Sequence, residues 1–211
     1  MLIHPWDEAT KAEWQDLLRQ VDFGQVVAWG REDEYPTVVP THFIYDGADE
    51  IWFHLARPNP VWRAIAANPR VVLAVIADYT YVEAAWNADG GVPPEHGVPT
   101  SYYSAVQLRG VAEIIDDPEA KFEILAGQLS HFEPADSSRT TPSADVASDR
   151  RVLPGIRGVR MRIESVQAKM KYGGNKTPHQ RREIAAHLQG RGGPADEAAR
   201  RHLLRRTGPA G

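Results

Sequence analysis

The dipeptide Asp46-Gly47 most constrains what this chain can become. It stands between residues 37–45 and residues 50–56, and an Asp-Gly pair between two such stretches is a strong signal for a tight hairpin between antiparallel strands. In the second stretch Ile51, Phe53 and Leu55 alternate against Trp52, His54 and Ala56, the period-2 pattern of a strand with two differently used faces. Further strand candidates are residues 25–29, the β-branched run at 70–77, residues 79–84, 101–115 with Gly110 as a bulge or bend, and 153–170. Only a few helical stretches interrupt them, and βαβ alternation is absent. The pattern predicts a mainly β fold with added helices, an antiparallel barrel or sandwich.

The strand at 50–56 ends in Arg57-Pro58-Asn59-Pro60. Asn59 is a good helix N-cap, and Pro60 suits the first helical position, where its missing N–H costs nothing. Arg and Asn at a strand end that runs into a helix N-terminus place donors and partial positive charge at one point, which suits an anion.

Helices are expected over residues 7–21 with Asp7 as cap, 60–67, 117–131 with Phe122, Leu125 and Leu129 on one face, 177–189 with a Thr177/Gln180 capping box, and 194–206. Residues 31–34 read as a polar turn, and residues 86–100, with Gly90, Gly91, Pro93, Pro94, Gly97 and Pro99, as a loop of the length used for lids and binding segments. Residues 133–152, poor in large apolar groups, read as a mobile connection.

Composition narrows the chemistry. The 211 residues suit one domain with an appendage, and 42% hydrophobic and 25% charged content is globular. There is no cysteine, which excludes disulfides, thiolate metal sites and cysteine nucleophiles. The first residues, MLIHPWDEAT, lack a signal-peptide pattern and no run is long enough to span a bilayer, so the expected location is cytoplasmic. Phosphate-binding glycine loops, the G-x-S-x-G elbow and H-E-x-x-H are missing. Net charge is −4, divided into about +5 from residue 176 onward and about −9 before it. The basic tail admits a helix-turn-helix reading with Arg181, Arg182, Arg200 and Arg201 on phosphates, but its connection is long and the acidic body repels DNA, so packing against the body explains the charges better.

Among candidate site residues, His42 and His54 would line one patch if their strands share a face. Tyr79, Tyr81, Trp86, Tyr102 and Tyr103 offer flat walls, and Lys169, Lys171, Asn175 and Lys176 flank Gly173-Gly174 where an anion could be closed over.

The stretches HLARPNPVW, VPTSYYSAVQLRGVAEIIDD and LPGIRGVRMRIESVQAKMKYGGNK together resemble the PaiB-like proteins, described as FMN-binding negative transcriptional regulators. The resemblance covers the chain from the first helix to about Leu188 and implies a six-stranded antiparallel FMN-binding split barrel of the PNP-oxidase-like type; the expected organisation is that barrel over residues 1–172, with the basic helical extension at 173–211 packed on it. It implies a homodimer with cofactor sites at the subunit interface. It places Arg57 and Asn59 on the flavin phosphate with His54 near it, Thr41 and His42 toward the isoalloxazine, and Tyr102 and Tyr103 toward the ring or the partner subunit. KMKYGGNK departs from the family ending K-x-K-x-S-Q-N at the closing segment of the pocket. Some PaiB-like proteins instead use haem to join two nitrogens into piperazate; for that cofactor His42, His54, Tyr102 or Tyr103 would be the axial ligand. The expected function is thus an FMN-dependent oxidoreductase or regulator acting on a small molecule, with the haem enzyme and the DNA-binding regulator as alternatives. Neither a membrane nor nucleic acid is an expected partner.

Overall fold

The computed structural model describes residues 1–30, 35–88 and 92–206; the polar turn at 31–34, Gly90 and Gly91 lie outside it. Seven strands form one sheet: β1 (Phe23–Ala28), β2 (Thr37–His42), β3 (Ile44–Tyr45), β4 (Glu50–Ala56), β5 (Arg70–Val82), β6 (Thr100–Ile115) and β7 (Ile156–Lys171). Their order is β2-β1-β5-β6-β7-β4-β3, and β1–β2, β1–β5, β3–β4 and β4–β7 are antiparallel. The strand count is seven rather than six because the predicted strand at 37–45 breaks at Phe43, whose N–H donates to Asp22 O. β2 and β3 then lie at opposite edges of the sheet, so the chain crosses from one edge to the other at one buried residue. The Asp46-Gly47 turn sits where the hairpin requires it, with Gly47 at φ 89° and β3 paired to β4 through Ile44↔Trp52 and Tyr45↔Ile51.

Among the described residues six α-helices accompany the strands: α1 (Lys11–Gln20), α2 (Val61–Ala67), α3 (Pro118–Phe132), α4 (Ala147–Val152), α5 (Pro178–Arg191) and α6 (Asp196–Arg205). Local chemistry accounts for most of their ends. Asp117 caps α3 by accepting from Ala120 N–H, and Thr177 and Gln180 form the expected capping box on α5, which ends at Gly192 in the left-handed region. The first helix differs from expectation: Thr10 and Glu13 cap it reciprocally, and Asp7 belongs to a separate single 3-10 turn. The 133–152 segment is built rather than loose: α4 lies in it, and its buried Asp149 accepts from Arg139 and from Ser143 N–H. Gly110 serves close approach, since a Cβ there would lie 2.1 Å from Arg162 O.

The chain divides into two compact units, one of Gln15–Val75 and Gln107–Val166, the other of Met1–Trp14, Ile76–Val106 and Gln167–Gly211. The first holds the barrel core, where Val26, Ile51, Phe53, Leu73, Leu108, Val159 and Met161 are sealed from solvent. On the outer face of its sheet, Val27 pairs with Val38 and Val72, and Phe23, Trp29 and Val38 stand exposed. The second unit buries its own apolar core, with Met170, Ile184, Leu188 and Leu203 sealed from solvent, and a polar network beside it. Asp196 accepts from Thr80 Oγ1 at 2.5 Å, from Arg191 at 2.6 and 2.8 Å and from Gly193 N–H at 2.7 Å; these bonds, Arg191's first, hold its carboxyl well below the usual range. Ser104 Oγ and Tyr172 Oη share a buried bond of 2.8 Å, and His202 stacks on Tyr172 while bonding Asp78. Asp78 sits at φ 51°, a bend within β5 at the point where the sequence pattern indicates two strands. No described helix is long and apolar enough to cross a membrane.

Candidate functional site

His42 ends β2 and His54 lies in β4, strands that are not hydrogen-bonded neighbours, yet the crossing at Phe43 brings their rings to 5.7 Å between centroids, edge to face. They line a cavity of about 430 Å³ roofed by Leu125, Gln128, Leu129 and Phe132 of α3 and by Pro142 and Val152 of the following segment. Such a volume lies within the range of small-molecule and cofactor sites. The walls are mainly apolar, and the few polar groups converge.

His54 Nδ1 donates to Gln128 Oε1, and Nε2 makes no hydrogen bond among the described residues. The proton on Nδ1 leaves the lone pair on Nε2. Gln128 Nε2 is buried without a partner among the described residues, a donor that a bound group would satisfy. Burial first, then the neighbouring His54, lowers the pKa of His42 and keeps that ring neutral. Arg139 also reaches the cavity but is committed to Asp149 at 2.7 Å.

The strand-to-helix turn at the end of β4 is basic, as expected, and internally braced. Arg57 donates from Nε to Pro154 O at 2.6 Å and from Nη2 to Asp116 at 2.8 Å. Arg157 shares Asp116, and Lys121 is buried close by, its pKa lowered by burial and then by Arg57. Asn59 is spent on structure, its Oδ1 accepting from Val61 N–H at 3.0 Å, but Pro60 rather than Asn59 holds the N-cap position and the helix starts one residue later than expected. Thr41 is buried with its hydroxyl donating to His42 O. The turn thus offers Arg57, with a partly exposed guanidinium, rather than an Arg57–Asn59 pair.

The remaining candidates gather in the other unit. Tyr102 and Lys171 line a cavity of about 240 Å³ with Asn87, Thr100, Asp7 and Lys176. Tyr103 lies beside it as a ring between Lys169 and Lys171, at 5.9 and 5.8 Å. Trp86 has one face stacked on His187, with the Arg191 guanidinium 4.9 Å from its ring. Tyr79 and Tyr81 are exposed. Of the tail cations, Arg181 donates to Lys176 O, Arg191 to Asp196, Arg200 to Glu197, and Arg206 pairs with Glu13.

Sequence reasoning missed Gln128, Leu125, Leu129 and Phe132 as cavity residues. It read α3 as packing through Phe122, Leu125 and Leu129, whereas the helix buries Lys121, Ile124 and Gln128. A glutamine on a buried helical stripe was the available signal. Asp7, read as a helix cap, is buried against Lys169 at 3.7 Å.

A family model described as "Putative FMN-binding domain" matches residues 1–165. The Bacillus subtilis (strain 168) protease synthase and sporulation protein PAI 2 is 26% identical over 203 residues, covering 92% of each chain. Among solved structures, the FAD and heme binding protein from Mycobacterium smegmatis superposes with a TM-score of 0.60 at 21% identity, covering 84% of this chain and 78% of that one. The flavocytochrome Anf3 from Azotobacter vinelandii gives 0.57 at 18% identity, with coverage of 81% and 75%. At these identities the two structures establish a shared fold, the split barrel. The chain belongs to the PaiB-like family of FMN-binding split-barrel proteins.

Proposed function

We infer that this protein is a flavin-dependent redox protein that holds the FMN ring in the His42/His54 cavity and the FMN phosphate at the Arg57 turn. The observation that carries the reading is the unpartnered, buried Gln128 N–H of α3 converging with two imidazoles in one apolar cavity, one of them, His54, on the strand that leads into the basic turn. These residues fit the group. Apolar side chains from α3 suit the faces of a flat ring, and the Gln128 amide N–H and neutral His42 suit its polar edge. Arg57 and Arg157 share one carboxylate, so the turn keeps unneutralised positive charge for a phosphate. Bound flavin supplies hydride or single-electron transfer to a small-molecule substrate. The protein limits water through the half-buried Leu125 and Leu129, orients His54 through Gln128, and holds His42 uncharged as a hydrogen-bonding neighbour. The outer sheet face with Phe23, Trp29 and Val38 supports a homodimer in which a second copy covers it.

The test is an absorption spectrum of the purified protein with a titration of FMN. Flavin bands, or saturable uptake of FMN that Gln128→Leu weakens, are expected; absence of both rejects the reading.

A haem reading has one specific observation in its favour. His54 bonds through Nδ1 to Gln128 and leaves Nε2 open, the arrangement in which outer partners orient a metal-ligating imidazole. A Soret band lost in His54→Ala and kept in His42→Ala would select it over flavin.

A further inference from the structure

The cavity beside Gly173-Gly174 is a built polar site, separate from the His42/His54 cavity and the Arg57 turn that the proposed flavin site uses. Two of its polar atoms are buried and unsatisfied among the described residues, and they are of opposite kind. Tyr102, 2% exposed, has an Oη with no partner, while Asn87 uses its amide nitrogen on Val98 O at 2.5 Å and leaves Oδ1 with none. Burial raises the Tyr102 phenol pKa, so it stays a protonated donor. Lys171 spends one bond on Thr100 Oγ1 at 2.9 Å; an ammonium has three donors.

The wall is shaped for this. Gly173 has φ 62° and a Cβ there would lie 2.6 Å from Tyr102 Oη; one at Gly174 would lie 2.2 Å from Trp6 O. The two glycines therefore let the backbone close on the cavity without displacing the phenol. A lone donor beside a lysine calls for an anionic oxygen, and a lone amide oxygen near the buried Asp7 calls for an O–H or N–H.

We propose that this cavity binds a small carboxylate that also carries a hydroxyl or amine, the carboxylate taken by Tyr102 Oη and Lys171 and the donor by Asn87 Oδ1. The cavity, about 240 Å³, suits a ligand smaller than a drug-sized molecule. Asp7, held to Lys169, stands as a second acceptor for the donor group.

The experiment is calorimetric titration of the purified protein, in parallel with the three-carbon acids propionate, lactate and alanine. Lactate or alanine is expected to bind about tenfold or more tightly than propionate, as one added buried hydrogen bond implies, and which of the two binds identifies the donor as hydroxyl or amine. Tyr102→Phe is expected to lose about tenfold, and Lys171→Met, at a half-buried position, serves where the first variant melts early. Equal binding of all three acids, binding of none, or unchanged binding in a folded variant overturns the proposal. The absorption spectrum reads the cofactor and the calorimeter reads this cavity, so either reading can fail alone.

Discussion

Both units bury an apolar core, but they differ in the polar groups buried beside it, and each cavity inherits the character of its immediate surroundings. Around the His42/His54 cavity the barrel core is aliphatic and aromatic, so the few polar atoms that reach the cavity select for the edge of a flat ring. Around the Tyr102/Lys171 cavity the framework is a set of buried hydrogen bonds and ion pairs, Thr80 with Asp196 and Arg191, Ser104 with Tyr172, and Asp7 with Lys169. Lysines and carboxylates are tolerated there because each has a partner, and the cavity they leave suits a small ion. Apolar packing resists pH, whereas a polar framework does not.

The largest expected effect breaks the first side of this contrast. Leu73→Ala in the barrel core should cost about 2–5 kcal/mol and should cost the same at pH 5 and pH 8, read by denaturant melts. Asp196→Ala comes next, at about 3 kcal/mol, the low end for breaking a buried pair because Arg191 keeps part of its solvent. Its sign with pH is defined. The carboxyl of Asp196 is lowered in the fold, so its stabilisation is present above the ordinary Asp range of about 4 and is lost as pH falls below it. The gap between wild type and variant should therefore shrink in acid; a constant gap would remove the network from the account.

A third substitution sharpens the comparison between the cavities themselves. His54→Ala should weaken cofactor retention about 10- to 100-fold by spectral titration while leaving the melt of the protein without cofactor nearly unchanged, since the ring sits at a cavity wall. Asp7→Asn is smaller and opposite in sign to Asp196. Burial, outweighing Lys169 and Lys171, raises the carboxyl of Asp7, so the folded state holds its proton longer and stability declines as pH rises from about 4 through the raised value. The variant should lack that decline; a steeper decline would mean that the lysine pairing dominates. Arg57→Ala should be the mildest for stability, within about 1 kcal/mol for a partly exposed pair, and should act on phosphate affinity instead. An FMN affinity equal to wild type would move the phosphate elsewhere.

Much of this was legible in the residues. Asp46-Gly47, the Asn59 bond to Val61 N–H, Asp117-Pro118 and the Thr177/Gln180 box are local devices whose partners lie within four residues, so their geometry follows from neighbours in the chain. His42 and His54 could be named as candidates, but hairpin pairing was the wrong reason: the turn joins β3 to β4, and the crossing at Phe43 is what brings His42 to His54. Gln128 could not be joined to them, because 74 residues separate it from His54 and only the docking of α3 makes the bond. The same holds for Asn87 and Tyr102, whose unsatisfied atoms are defined by what fails to reach them. The 133–152 segment reads as a tether because its composition is polar, yet one buried carboxylate, Asp149, gathers it.

By itself the sequence determined the antiparallel class, the ends of most helices, the absence of thiol chemistry and the family, since these depend on residue type and short spacing. Tertiary structure alone decided that β2 and β4 meet through the crossing at Phe43, that Arg57 is braced while Gln128 Nε2 is left without a partner among the described residues, and that His42 and His54 line one cavity while Tyr102 and Lys171 line another. Burial and hydrogen-bond satisfaction are properties of distant segments brought together, and no local pattern encodes which polar atom will be left without a partner.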